Sequence, residues 1–407
     1  MPSLIWFTII VPILLIFIFV VIPSLRQKIV WWEFLIPFGI TIITIIVCQT
    51  IAIKTATRDK EYWGFIGYSI VHNEPFSYDS ECPETYQCGT SCDSKGNCTP
   101  VYCTRWVHCV ESSSRRCFLI DNQNNERYIS YSKYKELETR WNKYQYTVAK
   151  IITNSHGYKT VGDKYNRTGH GHQHQVFWDQ KWQTSEPIVI ERVYENKVQT
   201  MSHWGEVSKE EKRIYELFDY PVVPEGLVSI STLSNGPTYP KSDKYLRYLN
   251  GILNTKKHGF KKVRIWVLVW RNQPQDAAEL QMKYWKNGNK NEFTIMFGID
   301  DNNKIMWHDI MTWSESDELT IKTRDYIEIN MKNKSDTYSG KLTDNDLVSF
   351  YNWLGKEIEN KYIKPDFEKY DFINVQPSMT ALLISFVIVL IINLATGIFI
   401  IKNPWQD

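Results

Sequence analysis

Seven of the eight cysteines fall between Cys82 and Cys117, and they carry the first chemical statement in the chain. Such density in a segment rich in turn residues reads as disulfides formed in an oxidising compartment. Zinc is the rival, but no CxxC pair is present, and structural zinc sites favour close cysteine pairs. Asp93-Ser94-Lys95-Gly96-Asn97 reads as a turn, with antiparallel strands on either side. Cys82 with Cys109 and Cys88 with Cys103 are then equidistant from one centre, and Cys92 with Cys98 is offset by one residue. Facing positions in a hairpin keep one centre until a bulge shifts it. The spacing therefore predicts nested bridges Cys82–Cys109, Cys88–Cys103 and Cys92–Cys98, with Cys117 free or paired to another chain. A reduced arm, or a knotted pairing such as Cys82–Cys98 with Cys92–Cys109, is the competing arrangement.

The histidines come second. Gly169-His170-Gly171-His172-Gln173-His174 puts three imidazoles two residues apart. On a strand all three project from one face, about 7 Å apart. His170, His172 and His174 are thus candidate ligands for a divalent metal, with His156 or Asp163 as a further donor. An exposed Gly/His loop that binds nothing, and a pH-sensing patch, are the alternatives. Asp300-Asp301 is a second candidate cation site, since adjacent carboxylates suit Ca²⁺ or Mg²⁺ when more oxygens converge. Asp-Asn-Asn-Lys between two strands is also ordinary hairpin chemistry. No Walker loop, nucleophile elbow, HExxH or dinucleotide fingerprint occurs. No cofactor is called for beyond a divalent metal. Sequons stand at Asn97, Asn166 and Asn333 and matter only outside the cytosol of a eukaryotic host.

These residues need a frame to hold them. The chain has 407 residues and a formal charge of +2, which argues against nucleic acid as a partner bound by bulk charge. Residues 1–25 carry no charged side chain and lack the basic start of a cleaved signal. With 34–53 and 377–401 they predict three transmembrane helices. Lysines and arginines near the spans mildly favour a cytoplasmic domain, but long domains translocate regardless of charge, and the cysteines point outside. The expected localisation is integral membrane, with the large domain extracytoplasmic.

Between the spans the expected fold is a membrane-anchored α+β ectodomain. A short connector (26–33) joins the first two helices. A β-rich cysteine arm (54–125), an irregular α+β region (126–240) and a βαβ-containing subdomain (241–372) follow, and a tail (402–407) closes the chain. Ser130 is expected to cap a helix with Tyr134, Leu137 and Trp141 on one face. Residues 263–270 read as a buried strand and Pro274 opens a helix that Gly288 stops. Residues 293–299 and 304–313 read as the next strands. A strand–helix–strand unit of this length implies a parallel pair. Thr343 caps a last helix of the domain, running to Ile358.

From Val263 through AAELQMKYWKNGNKNEFTIMFGIDDNNKIMW the chain resembles the core of the TPM family, a membrane-tethered α/β domain with β–α–β–β order. The likeness covers about 65 residues, or about 110 with the later helix. It implies at most the fold; some members are acid phosphatases and others accessory factors, and Asp300 and Asp301 sit where some carry acidic residues. The cysteine arm, the long insertion before residue 240 and the third span depart from the family. The functional expectation is a multi-pass membrane protein acting in binding or assembly, with the bilayer and either a protein partner or a second copy as its partners. The alternative is a membrane-tethered, metal-dependent hydrolase of the phosphatase-like kind.

Overall fold

A computed structural model describes residues 35–92, 94–141, 145–149, 151–153, 159–161, 172–198, 206–221, 231–333, 340–370, 372–373, 375 and 379–402. Helix α1 (Leu35–Ala56) leads through Thr57 into β1 (Arg58–Asn73). The arm follows as β2 (Phe76–Cys92) and β3 (Cys98–Ser113), then β4 (Arg116–Asp121), β5 (Glu126–Tyr128) and α2 (Tyr131–Trp141). Next come β6 (Gln145–Ala149), β7 (Ile151–Thr153), β8 (Lys159–Val161), β9 (His172–Phe177), β10 (Pro187–Glu195) and α3 (Lys209–Ile214).

The first sheet is antiparallel and β1 is its axis. The first half of β1 pairs with β10, from Arg58↔Glu195 to Ile66↔Pro187, and its second half lies between β4 and β9. A bulge between Gly67 and Ser69 makes the change of neighbour. Strand β5 extends the sheet beyond β4, and β6 beyond β9. Helix α2 covers one face, burying Tyr134, Leu137 and Trp141 against Phe65, Ile70, Leu119 and Val176. Ser130 starts that helix by accepting a hydrogen bond from the Lys133 amide at 3.1 Å.

The second sheet is β11 (Thr232–Ser234), β12 (Arg264–Arg271), β13 (Glu292–Ile299) and β14 (Ile305–Thr312), side by side in that order. The first three are parallel and β14 turns back antiparallel. Parallel strands need cover on both faces, which is why β12 and β13 are apolar almost without interruption. One face, with Ile265, Val267, Phe293 and Ile295, packs on α4 (Pro240–Ile252) and α7 (Asp344–Lys361). The other face, with Trp266, Trp270 and Met296, packs on α5 (Asp276–Tyr284). Helix α6 (Asp317–Tyr326) continues into a π-helical turn, Ile327–Lys332. Thr343 caps α7 by accepting from the Asp346 amide at 3.2 Å.

Asparagines and glycines join the two sheets. Asn254 Nδ2 donates to the Gly64 carbonyl at 2.7 Å, and Asn291 Nδ2 to the Tyr62 carbonyl at 3.0 Å. A Cβ on Gly64 would lie 2.5 Å from the Asn250 carbonyl oxygen, so α4 crosses β1 at a distance only glycine permits.

Helix α8 (Met379–Lys402) ends the described chain and lies against α1. The expectation of three membrane spans is corrected here. Residues 1–25, the first expected span, lie outside the described residues. Among the described residues no helix is long and apolar enough to cross a membrane. The membrane-anchored fold class, the integral-membrane localisation and the membrane-based function lose this support, the tethered hydrolase included. What stands is an α+β chain with a cross-linked hairpin. The β-rich region expected from residue 54 begins with a strand at Arg58, because Lys54 to Ala56 complete α1.

Candidate functional site

A cleft of about 580 Å³ opens where the start of β1 meets the end of α5. Its walls are aromatic: Tyr62 from β1, Tyr220 from the segment after α3, and Tyr284 and Trp285 from α5 and its end. Helix α5 stops there because Lys286, Asn287 and Gly288 all take positive φ, at 50°, 64° and 68°. The turn aims Gly288 and Asn289 into the cleft floor, while Arg58, Lys60 and Lys286 supply positive charge at its rim.

Behind the aromatic wall lies Glu292, 1% exposed. Its carboxylate accepts from Trp266 Nε1 at 2.8 Å, from the Asn289 amide at 2.9 Å and from the Tyr220 hydroxyl. Asn289 Nδ2 donates in turn to the Tyr220 oxygen at 2.8 Å. The Arg264 guanidinium sits 4.2 Å from the Trp266 ring centre and is equally buried. Burial pushes the Glu292 carboxyl above the ordinary glutamate range and the Tyr220 hydroxyl well above that of tyrosine. Burial also lowers the pKa of Arg264. The carboxylate is fully engaged and turned away from solvent, so it braces the wall rather than meeting a ligand. The rim also carries Asp59, and Lys60 is paired with Glu191 at 2.9 Å, so it is the aromatic faces, suited to a flat group, that characterise the cleft.

A second constellation crosses the first sheet. Cys117 on β4, His72 on β1 and His174 on β9 stand at one level, since His72 faces both the others in register. The His72 and His174 rings are stacked at 5.8 Å, and Tyr131 and Tyr134 of α2 cover His72. His174 Nε2 lies 2.9 Å from Glu74 Oε1. Desolvation first, then Arg115 and His174, lowers the His72 pKa, and burial raises that of the Cys117 thiol.

Among the described residues the expected metal ligands do not come together. His174 is engaged with Glu74, and His172 lies on β9. His156, Asp163, Asn166 and His170 lie outside the described residues. Asp300 caps its own turn, accepting from the amides of Asn302 at 2.8 Å and Lys304 at 2.7 Å. Asp301 accepts from Asn272 Nδ2 at 2.7 Å, so the two carboxylates diverge into hairpin chemistry. Among the described residues no three histidine, cysteine, aspartate or glutamate side chains converge on a metal position.

The arm carries bridges Cys82–Cys109, Cys88–Cys103 and Cys92–Cys98. Cys117 is a buried free thiol. The pairing is nested, but the register beneath it is not the expected one. Cys82 faces Val107 and Cys109 faces Ser80, so the outer bridge runs diagonally, with Cα atoms 5.8 Å apart. Cys88 occupies a bulge between Gln87 and Gly89, and its bridge to Cys103 spans 5.6 Å. Only Cys92 and Cys98 face each other directly. Both outer separations fall within disulfide reach. Alternation then sorts the two faces. One holds the outer bridges with Glu84 and Arg105, ion-paired at 2.9 Å, and Tyr86 under the Arg105 guanidinium. The other holds Trp106, Thr104 and Tyr102 opposite Pro83, Thr85 and Gln87. Trp106 is 48% and Tyr102 63% exposed.

The spacing of cysteines disclosed the arm, but nothing in the sequence gave Tyr62, Tyr220, Trp285 or Glu292 a place in a shared site. The one available signal was a glutamate opening an apolar strand, in Asn291-Glu292-Phe293-Thr294-Ile295. Comparison with known protein families, with curated proteins and with solved structures finds no match.

Proposed function

We propose that this chain self-associates, and that its cross-linked arm is the surface through which one copy pairs with another. One observation carries the reading: among the described residues β2 and β3 pair only with each other, and one face of the ladder exposes Tyr102 and Trp106. An isolated two-stranded hairpin is marginal in water, and three bridges supply the order that a core would. Bridges of this kind suit an oxidising compartment. Large aromatic side chains on a rigid support are the usual anchors of protein contacts.

The outer edge of β3 is the part suited to a second copy. Pro83 interrupts β2, whereas β3 carries no proline from Val101 to Ser113. An edge rich in β-branched and aromatic residues suits pairing with another strand. Antiparallel pairing of two β3 strands about a twofold axis at Thr104 sets Trp106 of one copy across from Tyr102 of the other, twice over. Such a contact is self-complementary and closes as a dimer.

Analytical ultracentrifugation of the full chain tests this, with mild detergent keeping the apolar end segments dispersed. The expected result is a concentration-dependent dimer that a Tyr102→Thr, Trp106→Thr double variant loses while keeping its three bridges. A wild-type monomer throughout, or a variant that dimerises equally well, overturns the reading.

A further inference from the structure

Trp63 lies on β1, next to Tyr62 of the cleft wall, and three cations gather on its indole. Lys262 Nζ stands 4.5 Å from the ring centre, the Arg192 guanidinium carbon 5.3 Å and Lys364 Nζ 5.4 Å. They come from distant parts of the chain: Arg192 from β10, Lys262 from the residues before β12, and Lys364 from the segment after α7. Like charges so placed repel one another, and a cation–π contact at a half-exposed ring offsets this only in part. The compensating carboxylates are few. Glu61, 3% exposed, lies 3.5 Å from Lys364 and 4.0 Å from Lys290. Among the described residues Arg192 and Lys262 form no ion pair. The Trp63 indole N–H is buried with no hydrogen-bond partner among the described groups.

The adjoining hollow beyond Lys364 has mixed charge, since Glu195, Asp366 and Glu368 line it together with Lys290 and Lys364. On the Trp63 side three cations meet one carboxylate, Glu61, which pairs with Lys364 and stands opposite Arg192 in register, so the excess charge there is positive. Arg192 is exposed and Lys262 partly so, which leaves both heads accessible from solvent. A guanidinium fork and two ammonium groups held about one indole offer several donors to a tetrahedral oxyanion that settles beside the ring.

We infer that Arg192, Lys262 and Lys364, gathered on Trp63, form a binding site for a phosphate or sulfate group. The site is separate from the arm and does not depend on it. Binding such a group neutralises the cluster and donates to its oxygens without moving the strands that carry it.

The test titrates the full chain with sodium phosphate, and separately with sodium sulfate, at ionic strength held constant with chloride, and reads binding by calorimetry. Saturable binding of one equivalent is expected. An Arg192→Gln, Lys262→Gln double variant is expected to bind at least about tenfold more weakly, whereas Lys356→Gln, exposed on α7, binds as wild type does. Circular dichroism confirms that the variant is folded; should it not be, Arg192→Gln alone is the reading, because that side chain is exposed on a strand. Tighter binding of phosphate than sulfate identifies a phosphate ester as the natural group, and the reverse a sulfate ester. Absence of saturable binding by both anions, or equal binding by the double variant, overturns the site.

Discussion

The indole of Trp266 donates to the carboxylate of Glu292 at 2.8 Å, and both residues are sealed from solvent between the second sheet and α5. The contact turns a buried acid into the hub of the cleft wall, because Tyr220 and Asn289 donate to the same carboxylate. Replacing Glu292 with Ala leaves these donors unpaired and is expected to cost about 3 kcal/mol, read from urea denaturation. Glu292→Gln keeps an acceptor and is expected to cost less.

The same pair of variants carries a pH signature. The folded-state pKa of Glu292 is raised, so the unfolded chain ionises first as pH rises. Its contribution is complete below the ordinary glutamate value of about 4.3 and is lost as pH climbs through the raised folded value. The stability difference between wild type and Glu292→Gln should therefore shift against the wild type between acid and neutral pH. A difference that stays constant across that range excludes the titration.

His72 acts at the opposite end. Its folded-state pKa is lowered by burial and by Arg115, His174 and Lys135, with Glu74 opposing them. The unfolded chain takes up a proton first, near pH 6.5, so His72 removes stability as pH falls below that value. Denaturant midpoints at pH 7 and pH 5 should lie closer together in His72→Phe than in the wild type. His308, also lowered by burial, accounts for part of the slope that remains.

Gly298 on β13 lies beneath the indole of Trp307 on β14. A Cβ there would stand 2.0 Å from the ring, and that ring is tied by its Nε1 to the Gln273 carbonyl at 2.8 Å. Gly298→Ala is expected to destabilise the second sheet by about 3 kcal/mol, as overpacking does. A thermal midpoint unchanged from the wild type would show that the indole moves freely.

Reduction separates arm from body. The bridges close separations of 27, 15 and 6 residues, and all lie in the hairpin. Constraint of the unfolded chain grows with loop length, so Cys82–Cys109 contributes most, on the order of 3 kcal/mol. In hydrogen exchange after reduction, amides of 82–109 should lose protection while those of β12 and β13 keep it. Loss of protection throughout would mean that arm and body fold as one unit.

Much of the body was legible in sequence because its physics is local. Residues 264–271 and 292–299 are apolar on both faces, so they read as buried parallel strands, and Thr343 and Ser130 announce their helices by capping. The cysteine spacing likewise contained the nested pairing. It did not contain the register: a diagonal bridge spans much the same distance as a direct one, so spacing alone cannot tell Cys82 facing Val107 from Cys82 facing Cys109. The apolar runs at the two ends did form helices, but among the described residues none is long and apolar enough to cross a membrane. The cleft was decided by tertiary structure alone. Tyr62, Tyr220 and Glu292 are far apart in the chain, and nothing in their neighbours marks them as partners. They meet because Gly64 lets α4 close on β1 and Asn291 holds the Tyr62 backbone against the second sheet. Periodicity reports which face of an element is buried. Which elements then share that burial is settled only by the packing of the whole chain.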